Sequence, residues 1–126
     1  MNPAPAKQYD LESRTLAFAG LTRDFIASIP KTLINVDDCK QLLRSSGSVG
    51  SNYREANNAV SKADFVFRIK ICRKEAKESE YWFELLRVPK GTDFDRERLR
   101  LLQEARELRL IFAAILHKCT KKVSNN

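Results

Sequence analysis

A chain of 126 residues, 43% hydrophobic and 31% charged, is one domain of ordinary globular composition with enough apolar matter to bury a core without metals or disulfides. Only four glycines and four prolines argue against a strand-and-turn architecture and for long helices. Cys39, Cys72 and Cys119 are widely spaced and form no CxxC pair, so they read as free thiols of a reducing cytoplasm. No stretch reaches the ~18 apolar residues of a membrane span. Residues 1–6 lack the basic region and apolar run of a signal peptide, so a cytoplasmic protein without membrane contact is expected. The net charge of +7 is uneven, with seven Lys/Arg against six Asp/Glu in residues 1–60 and sixteen against ten in residues 61–126. A basic second half attracts polyanions, RNA and DNA among them, although a solvated surface explains the same excess.

Residues 1–10 read as a flexible arm. Leu11, Phe18, Leu21, Phe25 and Ile29 recur at helical steps and predict a first helix, which Pro30 ends. The connection over residues 31–36 leads to Asp37 or Asp38, either of which suits the cap of a second helix. Cys39, Leu42, Leu43, Val49, Tyr53 and Ala56 continue one face of that helix. Within it, residues 45–52 (SSGSVGSN) look like a loop by propensity, and each glycine costs a helix roughly 1 kcal/mol. Small residues also admit a neighbouring helix, so Gly47 and Gly50 are expected to be helical and pressed against another helix. Ser61-Lys62-Ala63-Asp64 fits the start signal of a third helix over residues 62–88. Pro89, Gly91 and Asp93 mark a turn, and Asp95 is a candidate cap for a fourth helix to about Lys121. Its buried face is Leu101, Ala105, Leu108, Phe112, Ile115, Leu116 and Cys119. Residues 123–126 are expected to fray.

Four amphipathic segments joined by short connections predict an all-α, antiparallel up-down four-helix bundle over residues 11–122. The third helix carries two apolar stripes, one of Phe65, Ile69, Cys72, Ala76 and Phe83 and another of Phe67, Ile71, Trp82 and Leu85. The second stripe marks an oligomer interface if it is left in water, or further core if the third helix is central.

Signatures of catalysis are scarce. The single histidine, His117, has Ala114 three residues before it and so lacks the Glu-x-x-His pairing of di-iron bundles. A Ser-His-Asp or Cys-His arrangement would have to share that same histidine, and no catalytic residue, metal site or cofactor is expected. Glu75, Glu78 and Glu84 lie near Arg68, Arg73, Lys74 and Lys77 at three- and four-residue spacings, which suits ion pairs. Gly47-Ser48-Val49-Gly50 matches the G-x-x-G of a KH domain, but that fold needs a sheet, for which the chain has no strands. Lys70, Arg73, Lys74 and Lys77 fall on one helix face, and the fourth helix adds Arg96, Arg98, Arg100, Arg106 and Arg109, several beside Glu97, Glu104 or Glu107. Lys70, Arg73, Lys74, Lys77, Arg96 and Arg100 form the candidate phosphate-binding set, a solvated or salt-bridged face being the alternative.

The strings Ser48-Val49-Gly50-Ser51-Asn52-Tyr53-Arg54-Glu55-Ala56, Ser61-Lys62-Ala63-Asp64-Phe65 and Arg73-Lys74-Glu75-Ala76-Lys77-Glu78-Ser79-Glu80-Tyr81-Trp82 resemble a bacterial four-helix-bundle family, some of whose members are encoded in intervening sequences of 23S rRNA genes. The resemblance implies a left-handed antiparallel bundle, commonly assembled as a homopentameric ring. It extends to the accessory protein of diversity-generating retroelements, a basic pentamer that binds nucleic acid and a reverse transcriptase. The family brings no catalytic residues with it. Together these readings predict a non-enzymatic homo-oligomer that binds nucleic acid, RNA before DNA, with little sequence preference. The alternative is a structural or adaptor module for a protein partner, its basic surface incidental.

Overall fold

The computed structural model describes residues 10–124. Asp10 accepts the Ser13 amide at 3.2 Å and opens helix α1 (Leu11–Ser28), which ends where Ile29 turns extended before Pro30. Its buried face is Leu11, Thr15, Phe18, Thr22, Phe25 and Ile26. Leu21, expected inside, is 38% exposed, and the two threonines are buried. They can be buried because their hydroxyls donate to the Leu11 and Phe18 carbonyls at 2.7 and 2.8 Å, which satisfies each hydroxyl within its own helix.

Helix α2 (Leu33–Asn57) starts earlier than expected, because Thr32 and not Asp37 or Asp38 caps it. Asp37 and Asp38 lie inside the helix, and one Asp38 oxygen is buried with no hydrogen-bond partner among the described residues. Residues 45–52 are helical throughout. Ser61 caps helix α3 (Lys62–Leu85) by accepting the Asp64 amide at 3.0 Å. This helix stops three residues short of the expected Val88. Buried Asn35 at the start of α2 accepts the Arg87 N–H and donates to the Arg87 carbonyl, at 3.0 and 2.8 Å, which holds that segment outside the helix.

Helix α4 (Asp93–Ser124) is capped by Thr92, not Asp95. Asp95 instead accepts the Gly91 amide and pairs with Arg98, while Gly91 turns the chain at a φ of 77°. Val123 and Ser124, expected to fray, continue α4. The arm expected over residues 1–10 lies outside the described residues except for Asp10.

The helices form a four-membered ring in chain order, with α2 on α3, α3 on α4, and α1 closing against both α2 and α4. Short connections make neighbours antiparallel. Phe83 of α3 meets Phe18 and Phe25 of α1, with ring centroids 6.3 and 6.1 Å apart, across the middle of the bundle. Cys72 is fully buried, and desolvation pushes its thiol up to about 12.

Candidate nucleic-acid interface

Most of the bundle's arginines hold helices together or anchor their own turns. Arg14 of α1 reaches Glu104 and Glu107 of α4, at 2.8 and 3.0 Å. From α2, Arg44 reaches Glu75 and Glu78 of α3 at 3.1 and 2.6 Å. On α4, Arg109 and Arg106 converge on Glu80, which is buried. The hydrogen bond that Arg109 donates to Glu80 is the main cause that raises the Arg109 pKa. Near the start of α4, Arg96 pairs with Asp93, Arg98 with Asp95 and Arg100 with Glu97.

Against that background Lys70, Arg73, Lys74 and Lys77 stand apart. All four are exposed, and among the described residues none has a carboxylate within 4.0 Å. The carboxylates that spacing offers them within α3 are spent elsewhere: Glu75 and Glu78 turn to Arg44, and Glu80 turns to Arg109. Arg73, Lys74 and Lys77 line one wall of a cleft of ≈ 480 Å³ whose other wall is Arg109 and Ala113 of α4.

The other two residues of the candidate set lie elsewhere. Arg100 lines a different cleft, between α1 and α4, with Arg14, Glu104 and Glu107, where the two signs of charge cancel locally. Arg96 sits in the first turn of α4 and donates to the Gly91 carbonyl at 3.0 Å. The α4 arginine that lines the cleft is Arg109, which the spacing along α4 alone does not single out.

The expected interface stripe is also divided. Trp82 packs partly into the core, with its Nε1 buried and without a hydrogen-bond partner among the described residues, and Ile71 is half-buried. Phe67 and Leu85 are exposed, but they lie about 27 Å apart along the helix, so they do not form one patch. The same end of the bundle as Leu85 also exposes Leu33 and Ile34, which precede the Asn35 that binds Arg87.

Chemistry is sparsely provided for. Among the described residues there is no cluster of three His, Cys, Asp or Glu side chains able to hold a metal, and His117 is exposed. No helix among them is long and apolar enough to cross a membrane.

The family described as the 23S rRNA-intervening sequence protein matches residues 17–114, a span that holds α2 and α3 whole, most of α1 and α4, the α3 stripe and the cleft. The chain belongs to this family. It is also similar to a solved structure from Bacteroides thetaiotaomicron, that of a protein of unknown function from the S23 ribosomal protein family. The two share 33% identity over 88% of this chain and 98% of that one, at a TM-score of 0.70. No curated protein matches the chain. The 23S rRNA-intervening sequence family fold thus presents, in this member, an unneutralised basic stripe on α3.

Proposed function

We propose that this family member is a non-enzymatic, self-associating bundle of the cytoplasm that binds RNA by its phosphate backbone, along the exposed face of α3 and the cleft toward α4. The observation that carries the reading is the set Lys70, Arg73, Lys74 and Lys77, exposed and without carboxylate partners among the described residues, in a protein that spends most of its other arginines on ion pairs. An unpaired surface cation releases a phosphate's counterion at little cost, whereas a paired one must first give up its carboxylate. Contacts of this kind position a strand without reading its bases, so sequence preference is small. Self-association is supported by Leu33, Ile34 and Leu85, exposed to 91%, 63% and 37% at one end of the bundle. A ring, for which a pentamer is the expected number, repeats the basic stripe and raises avidity.

The test is RNA binding by fluorescence anisotropy across a salt series, beside light scattering of the free protein. Binding is expected to weaken steeply with salt. Lys74→Glu combined with Lys77→Glu should lower the salt slope by about two and weaken unrelated sequences equally, with helicity unchanged because both side chains are exposed. A wild-type protein that binds neither RNA nor DNA at ~50 mM salt overturns the electrostatic reading and leaves the adaptor for a protein partner. A monomer in light scattering overturns the assembly.

A further inference from the structure

The basic stripe is bracketed by aromatic rings. Phe67 precedes Lys70 by three residues and Tyr81 follows Lys77 by four, so both rings stand on the same surface of α3 as the cations. Each is 56% exposed, and the span between them is about 21 Å of helix. Neither ring is loose. Tyr81 meets the half-buried Trp82 edge-on, with centroids 5.0 Å apart and planes at 73°. The Arg68 guanidinium lies 5.8 Å from the Phe67 centroid, and Arg68 is itself held by a 3.1 Å bond to Asn52 of α2.

From this arrangement, and resting on the phosphate-binding reading above, we infer that the α3 face takes single-stranded nucleic acid, with Lys70, Lys74 and Lys77 along the backbone and unstacked bases on Tyr81 and Phe67. Cations alone suit any polyanion. Exposed rings beside them add affinity only where a base can leave its stack and lie against a side chain, which a single strand allows and a duplex does not. Rings already held by Trp82 and Arg68 lose little freedom when a base arrives. Glu84, exposed one turn beyond Tyr81, repels phosphate and ends the track on that side.

Trp82, the single tryptophan of the chain, reports directly, because it touches Tyr81. The experiment titrates the full chain with a short single-stranded oligoadenylate and with an RNA duplex of the same length, following anisotropy and Trp82 emission. The expected result is tighter binding of the single strand with a change in Trp82 emission that the duplex does not produce. Tyr81→Leu should bind the single strand about tenfold more weakly, Phe67→Leu should weaken it as well, and Tyr81→Phe should bind as the wild type does. Equal affinity for strand and duplex, with Tyr81→Leu indistinguishable from wild type, overturns this inference and leaves phosphate binding standing. Failure of the wild type to bind either probe overturns both.

Discussion

Substituting Gly50 tests a close approach of α1 and α2. A Cβ at this position would lie 3.0 Å from the Thr15 Oγ1 and 3.2 Å from its Cβ, with the Thr15 carbonyl carbon at 3.6 Å. Thr15 cannot give way cheaply: it is 1% exposed and its hydroxyl is tied to the Leu11 carbonyl at 2.7 Å. The two other helical glycines differ. At Gly20 a Cβ meets nothing within 4 Å, and at Gly47 it meets the flexible Arg23 guanidinium at 3.4 Å. Replacing glycine by alanine in a helix gains roughly 1 kcal/mol. Gly20→Ala should keep most of that gain and raise the Tm by about 3 °C. At Gly50 the same gain is offset by the clash, so Gly50→Ala should be neutral or worse, and Gly50→Leu should cost roughly 1–3 kcal/mol through overpacking. Thermal and urea unfolding followed by circular dichroism measure all three. A Gly50→Ala variant stabilised as much as Gly20→Ala would refute the close approach.

Asn35→Leu removes both bonds to the Arg87 backbone and should cost about 2 kcal/mol in urea unfolding; a loss below ~0.5 kcal/mol would show that the segment after α3 is held by other means. Arg100→Glu should leave RNA affinity within about twofold, because that side chain faces the α1–α4 cleft and is paired with Glu97; a loss equal to that of Lys74→Glu would place the binding face elsewhere. The Cys72 thiol, pushed by burial to about 12 from 9.0, should resist alkylation at mildly alkaline pH until the protein unfolds, while half-exposed Cys119 reacts first. The sign follows from the raised value: the stability that the neutral thiol contributes is complete below pH 9 and falls as pH rises toward 12. Mass spectrometry of partly labelled protein shows the order, and early label on Cys72 would contradict it.

The parts of the fold legible in the sequence are those set by neighbouring residues. Ser61 and Asp64 form a local start signal, and the structure uses it. Pro30 ends α1 for a reason internal to its own ring. Less legible are the caps Thr32 and Thr92, where a threonine competes with aspartates nearby, and any boundary set by a partner far along the chain. Asn35 belongs to the first turn of α2, but its side-chain amide serves Arg87, 52 residues away, and so it bears on the end of α3. Thr15 and Thr22 are buried although a hydroxyl is polar. Each satisfies that hydroxyl on its own helix and leaves Leu21 outside.

The candidate site divides in the same way. Periodicity places Lys70, Arg73, Lys74 and Lys77 on one face, because spacing along a helix is local information. Whether those charges are free depends on the carboxylates, and their partners come from other helices: Arg44 from α2 for Glu75 and Glu78, Arg109 from α4 for Glu80. Each such pair both ties α3 to a neighbour and removes a carboxylate from the reach of α3's own cations. The same interactions that assemble the bundle therefore expose its positive stripe, and at the start of α4 the balance runs the other way. There Asp93, Asp95 and Glu97 stay with Arg96, Arg98 and Arg100 three residues on, so a run just as rich in arginine presents much less unbalanced charge. Counting basic residues cannot separate these two helices. Tracing where each acidic side chain goes does, and it leaves α3 with exposed cations that have no carboxylate within 4.0 Å among the described residues.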